Sequence, residues 1–320
     1  MSARRSARRQ RADASPPGAF RMVAAVGVVL MGAAGLIYWG VGRSSGPGDV
    51  VRDGAPAWSP DGTQIAFYSE VGGRPADLFV MDADGSSIRQ LTATPAAEGY
   101  PAWSPDGRHI AFESNTPGGN FDVYVMDAGG SSVRRLTDDP RRDVGPTWSP
   151  DGRKIAFMSD RAGAEFDLYW MNADGTDVER LTSGQTDWFP QFSPDGSQIA
   201  FHRWNDVHLL DLGARGIQRL TTDPDNGMYP AWSPDGSRIA FMSWRSGRTA
   251  IYTMQADGSD QRKIVQMASG SAIDPRWSPG EDTIVFVHVP EEAVSDAQAA
   301  AQPRILYTVD VRTGTLTRLR

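Results

Sequence analysis

The chain contains no cysteine, which excludes disulfides, thiolate nucleophiles, thiolate metal sites and a lipid-modified N-terminal cysteine. Lysine is almost missing too: Lys154 and Lys263 are the only two, and every other basic side chain outside the histidines is arginine. The four histidines, His109, His202, His208 and His288, do not cluster in sequence, which argues against a histidine-based metal site. Uncharged apolar runs long enough to cross a bilayer are also scarce. Residues 22–42 form the one exception.

That stretch is 21 residues long, enough for a bilayer core of about 30 Å at about 1.5 Å per residue. Six arginines (Arg4, Arg5, Arg8, Arg9, Arg11, Arg21) against one aspartate leave residues 1–21 at +5, so a whole-chain charge of −7 puts −12 on the remainder. The positive-inside rule keeps this basic end in the cytoplasm, and Tyr38 and Trp39 stand where an aromatic belt forms. The expectation is a single-pass anchor in the inner membrane with the bulk of the chain periplasmic. A cleaved signal peptide, cut near Gly32-Ala33-Ala34, is the alternative and would make the protein secreted. An acidic body is a poor match for phosphates, so nucleic acid is excluded as a partner.

From residue 54 onward the sequence repeats. Pro-x-Trp-Ser-Pro-Asp-Gly, followed two residues later by Ile-Ala-Phe or a close variant, starts at Pro56, Pro101, Pro146, Pro190, Pro230 and Pro275. The third positions are Trp58, Trp103, Trp148, Phe192, Trp232 and Trp277, spaced by 45, 45, 44, 40 and 45 residues. A period in the low forties is the length of a four-stranded propeller blade. Each unit divides into a Trp-bearing strand A, an Ile-Ala-Phe strand B, a strand C such as Leu78-Phe79-Val80-Met81, and a strand D closing on Leu-Thr. Ser-Pro-Asp-Gly suits a tight A-to-B hairpin and Asp82-Ala83-Asp84-Gly85 a C-to-D one, because both place glycine where φ must be positive. Strands A to C read as apolar on both faces, hence buried between neighbouring blades. Arg89-Gln90 and Arg134-Arg135 instead mark strand D as an exposed outer edge.

This Trp-Ser-Pro-Asp-Gly and Ile-Ala-Phe unit resembles the WD40-like (PD40) repeat of TolB-type six-bladed β-propellers, and the resemblance covers roughly residues 54–320. It implies an all-β, six-bladed β-propeller preceded by one transmembrane helix. The expected division is a basic cytoplasmic terminus (1–21), a membrane helix or signal anchor (22–42), a linker (43–53) and the propeller (54–320). TolB proteins carry a further globular domain ahead of the propeller, for which residues 1–53 leave no room, so the resemblance is to the propeller alone. Similar repeats occur in prolyl-oligopeptidase-like peptidases and tricorn-type proteases, whose catalytic triads lie on a separate domain.

Propeller topology sends the uniform A-to-B and C-to-D turns to one face and the variable B-to-C and D-to-A loops to the other, which makes the second face the expected binding face. Three positions before the strand A proline stand Asp53, Glu98, Asp143 and Asp187, with Asp274 displaced by two. They are expected either to ring the channel mouth for a cation or a basic partner segment, or to bond backbone amides of the D-to-A loop. Trp188, Phe189, Trp204, Trp244, Tyr229 and Tyr100 are candidates for an aromatic partner-binding patch, the alternative being that they plug the channel or pack on loops. Blade six departs from the pattern at Pro279-Gly280-Glu281-Asp282 and lengthens its B-to-C loop between Pro290 and Pro303, either as a short helical turn or as a solvated insertion.

No catalytic set stands out. Gly42-Arg43-Ser44-Ser45-Gly46 matches a nucleophile-elbow pattern but lies in a linker, not between strand and helix. The Asp-x-Asp-Gly turns lack the remaining ligands of a calcium loop. The expected function is therefore a non-catalytic, membrane-anchored propeller binding a protein or peptide of the cell envelope, with no metal or cofactor beyond the channel-mouth cation. The competing expectation is an envelope hydrolase or lyase acting on a glycan or peptide in the channel.

Overall fold

The computed structural model describes residues 50–115, 119–222, 227–280, 282–290 and 303–320, which form six four-stranded antiparallel sheets in sequence order A-B-C-D. The expected cytoplasmic terminus, membrane helix, most of the linker and the lengthened loop of blade six lie outside the described residues. Blade one comprises strand A at Val51–Trp58, B at Gln64–Val71, C at Asp77–Asp82 and D at Arg89–Gln90. Blades two to six repeat the arrangement over residues 98–135, 143–180, 187–219, 228–266 and 271–318.

The turn sequence makes the A-to-B hairpin for a local reason. Ser59 Oγ donates to Asp61 at 2.6 Å and accepts from the Gln64 amide at 2.9 Å, while Asp61 also takes the Thr63 amide at 3.0 Å. Those bonds hold the Asp61 carboxyl below its ordinary range, the Ser59 hydroxyl contributing most. Ser104, Ser149, Ser193 and Ser233 repeat the hydroxyl-to-aspartate bond, whereas Gly280 leaves blade six without it.

Within each blade the core repeats one cross-strand contact. The strand B phenylalanine stacks on the strand C ring opposite it: Phe67 on Phe79 at 5.8 Å, Phe112 on Tyr124 at 5.7 Å, Phe157 on Tyr169 at 6.0 Å. In blade four His208 takes the ring position, 5.6 Å from Phe201. All six phenylalanines are essentially fully buried, each worth about 2 to 3 kcal/mol by transfer from water.

Strand D is shorter than its sequence phrase. In blade one it ends at Gln90, and the following Leu-Thr leaves the regular ladder because Thr92 Oγ1 takes the Leu78 amide at 2.9 Å. Thr137, Thr182 and Thr221 do the same for Val123, Leu168 and Val207. The charged remainder of the strand is exposed, as expected of an edge.

The ring closes without strand exchange. The segment entering strand C of blade six forms a parallel bridge to strand A of blade one, with Asp53 N donating to Arg304 O at 3.2 Å and Arg304 N to Val51 O at 3.1 Å. Arg320 reinforces the seam, lying 3.6 Å from Asp53 and 5.6 Å from the Phe67 ring centre.

Candidate functional site

The channel wall is shaped by the x-Pro step of strand A. Proline has no amide to give to the ladder, so each strand A is bulged there and its register with strand B shifts. The residue before the proline is forced into the left-handed region: φ is 47° at Ala55, 48° at Tyr100, 53° at Phe189, 53° at Tyr229 and 53° at Asp274. Left-handed backbone costs a side-chain-bearing residue about 1 kcal/mol or more, and the bulge turns that side chain toward the axis. Tyr100 of blade two reaches Phe189 of blade four at 5.1 Å, over Gly145 of blade three, and Phe189 meets Tyr229 at 4.7 Å.

These rings divide the channel. On the side of the Ser-Pro-Asp-Gly turns it opens into a funnel of about 380 Å³ floored by Ala55, Tyr100, Gly145 and Phe189. Trp58, Trp103, Trp232, Trp277 and Phe192 line its wall. Trp103 is half-buried and donates Nε1–H to Ala57 O of the preceding blade at 3.2 Å, so the framework tryptophans serve packing and cavity together. The residue between Pro and Trp faces the funnel in every blade: Ala57, Ala102, Thr147, Gln191, Ala231 and Arg276. Thr147, Gln191 and Arg276 are therefore the polar side chains among these six positions. Arg276 is paired with the buried Asp274 at 2.7 Å.

At the opposite end the wall comes from strand B. Tyr68, Glu113, Met158, His202, Met242 and Val287 stand opposite strand A residues just ahead of the bulges. Three of them accept the amide of the bulged residue in the next blade: Glu113 from Gly145 at 2.9 Å, Met158 Sδ from Phe189 at 2.9 Å, and His202 Nδ1 from Tyr229 at 3.3 Å. Burial pushes the Glu113 carboxyl up to about 7, against the lowering pull of the Gly145 amide and of Arg142. Burial also drives His202 down to about 3, with His208 adding to the effect, so its ring is neutral.

The residues singled out from sequence divide into three groups. Tyr100, Phe189 and Tyr229 come together in the channel, joined by Trp188 at 6.3 Å from Phe189. They lie inside the channel, where Phe189 and Tyr229 are buried. Trp204 is 63% exposed at the tip of the short B-to-C turn of blade four, Trp244 is half-buried in the equivalent turn of blade five, and neither makes a ring contact with the cluster among the described residues. Asp53, Glu98, Asp143 and Asp187 are all buried, and none lines the funnel. Asp143 pairs with Arg161 at 2.8 Å, Asp187 with Arg203 at 2.6 Å, and Glu98 accepts from Thr94 Oγ1 at 2.6 Å. Arg161 in turn caps the Phe157 and Tyr169 rings at 5.4 and 5.0 Å, so the acid orients an arginine over the stacked pair of blade three. Asp274 belongs to a different row, that of the bulged residues. Among the described residues no group of three or more histidines, aspartates or glutamates is arranged to hold a metal ion.

Sequence reasoning passed over the residue between Pro and Trp, although its variation against a constant frame was a readable signal. It also passed over Tyr68 and Arg304, which fall outside every repeat phrase.

The four-stranded blades, the sequential strand order and the axial funnel define a six-bladed β-propeller. Residues 187–306 match the family model of the TolB beta propeller domain, and residues 75–166 that of the tricorn protease N-terminal beta propeller domain. The propeller of this chain is TolB-like. Among solved structures it is similar to a putative TolB from Agrobacterium tumefaciens, with 23% identity and a TM-score of 0.64, covering 73% of this chain and 84% of that one. It is also similar to TolB from Acinetobacter baumannii, with 18% identity and a TM-score of 0.65 over 95% of this chain and 70% of the other. An oligogalacturonate lyase in complex with manganese shares the fold at 16% identity and a TM-score of 0.56, over 84% and 78%. A comparison with curated proteins finds no sequence match.

Proposed function

We propose that the propeller is a non-catalytic binding module that receives a segment of a protein or peptide partner in its axial funnel. The observation that carries this reading is the funnel itself. About 380 Å³ of space is walled by indole and phenyl rings, with a few polar groups at its variable positions. Such a cavity accepts one or two anchoring side chains of a partner, and aromatic-walled pockets are where interface energy concentrates. The binding end is thus the face of uniform turns, where the constant prolines and tryptophans build a rigid wall and Thr147, Gln191 and Arg276 supply selectivity.

The cellular setting of this reading follows from residues 1–42: a basic cytoplasmic end, an anchor at 22–42 and an extracytoplasmic propeller. Full-length protein should then stay with membranes through high-salt and alkaline washes and be open to protease only from outside. Recovery of a mature form that starts after about residue 35 would instead mean a cleaved signal and a secreted propeller.

The test of the binding reading is partner capture after crosslinking in intact cells, comparing wild type with Thr147→Arg/Gln191→Arg, which crowds the funnel without touching its floor. The double variant should keep its melting temperature and lose the partner, whereas Trp204→Ala should keep it. Unchanged capture by the crowded funnel would remove the funnel from the interface.

A further inference from the structure

At the end of the channel away from the funnel, Arg304 carries a cation that the repeat does not explain. Its backbone is held in the blade one to blade six seam by the two bridge hydrogen bonds, and its side chain turns inward to donate to the Tyr68 hydroxyl at 2.9 Å. Among the described residues that guanidinium has no carboxylate within ion-pair distance, and part of its surface stays open. In contrast, the buried acids of strand A mostly have an arginine assigned to them.

Hydroxyl groups surround this cation. Tyr68 is in direct contact with Arg304, and the phenols of Tyr100 and Tyr229, from blades two and five, lie within electrostatic range of it. Tyr229 is 4% exposed as a residue; among the described residues its hydroxyl makes no hydrogen bond, and it is not one of the fully buried unpaired polar atoms, so it keeps a share of accessible surface. The three phenols are held above their ordinary range chiefly by burial, so they remain protonated donors. Tyr68 accepts from Arg304 and keeps its own proton to give.

Two acids adjoin the cluster. Asp274 is already neutralised by Arg276 at 2.7 Å, and Glu113 accepts the Gly145 amide and sits near the midpoint between its charged and neutral forms at neutral pH. What remains is one unpaired guanidinium and several hydroxyl donors without an acceptor, beside the Phe189 and Tyr100 rings.

We propose that this end of the channel binds a carboxylate, received by Arg304 and the hydroxyls of Tyr68 and Tyr229, with the apolar body of its bearer against Tyr100 and Phe189. A singly charged, planar group fits one guanidinium flanked by two acids better than a dianion does. The site is separate from the funnel, since the Tyr100–Phe189 floor lies between them, and it stands whether or not the funnel holds a partner.

The test uses the full-length chain and three probes: N-acetylphenylalanine, its C-terminal amide, and the α-amide of N-acetylglutamic acid, which keeps a single side-chain carboxylate. Binding is read by tryptophan fluorescence and calorimetry. N-acetylphenylalanine should bind saturably and about tenfold more tightly than its amide, the difference expected for one charge-assisted hydrogen-bond set. Arg304→Gln should erase that difference and Arg304→Lys should restore part of it. Tyr229→Phe, which removes one hydroxyl only, should weaken the acid and not the amide while leaving the melting temperature in place. Tight binding of the glutamate probe would assign the carboxylate to an acidic side chain, and its weak binding to a chain end. Acid and amide that titrate alike, no saturable response to the acid, or a Tyr229→Phe variant with wild-type selectivity would each overturn the proposal.

Discussion

Glu113 is the one acid in its row of six channel-facing strand B residues, and its charge state is set by surroundings that a sequence does not display. It is buried, takes the Gly145 amide at 2.9 Å and is raised to about 7 from an ordinary value near 4.5. An acid raised on folding binds more protons in the native state than in the unfolded chain between those two values. Its contribution to stability is thus full below about pH 4.5 and is lost as pH rises through about 7, a change of up to about 3 kcal/mol. His202, lowered to about 3, works in the opposite direction, because the unfolded imidazole binds the extra proton between about 3 and 6.5. Subtracting the pH profile of Glu113→Gln from that of wild type isolates the first effect. The difference should favour wild type at about pH 5 and shrink by pH 8. A difference that grows with pH would mean that Glu113 is stabilised as a carboxylate.

At the scale of the element, the tryptophans of strand A belong to framework and funnel alike. Trp103 packs on the core cluster of blades one and two that includes Phe112 and Leu78, so Trp103→Ala should cost about 3 kcal/mol, and Trp204→Ala less than about 0.5 kcal/mol because that ring is 63% exposed. Thermal melts with similar losses for both would erase the distinction between them. The C-to-D turns have a second duty that their uniformity conceals. Gly85 has φ +87° and lies so close to the end of strand D of blade six that an added Cβ would stand 2.5 Å from Leu319 O; Gly130, Gly175 and Gly258 wedge against Leu91, Leu136 and Leu220 in the same way. Gly85→Ala should cost about 2 kcal/mol or more through both backbone strain and this contact. Its melt should fall well below that of Ala83→Ser in the same turn.

On the scale of the whole molecule, the ring depends on one seam that no strand crosses. Arg320 caps Phe67 and Phe79, sits 3.6 Å from Asp53, and does for blade one what Arg161 and Arg203 do for blades three and four from within those blades. Burial already raises the Asp53 carboxyl, so losing the Arg320 cation beside it should cost about 2 kcal/mol. Hydrogen exchange on Arg320→Ala should show faster opening of Val51–Trp58 than of the interior blades. Uniform loss of protection across all six sheets would mean that the seam is no weaker than any other inter-blade contact.

The six repeat phrases determined the blade count, the strand order, both hairpin types and the exposed outer edge, because each follows from a turn residue or a period acting over a few neighbours. Tyr100, Phe189 and Tyr229 were legible as aromatics without a framework role, but their meeting in the channel was not, since it needs blades two, four and five to face one axis. The spacing of Asp143 and Asp187 left a channel-mouth ring and bonding to D-to-A loop amides both open, and only the fold shows that each is buried against an arginine, Arg161 of the B-to-C turn and Arg203 at the end of strand B. The open end of the channel was likewise decided in three dimensions. Side chains before the proline block one half while the small or polar residue after it leaves the other half free, and which half stays open depends on how six bulges converge on a common axis, a sum over long-range contacts that no local phrase encodes.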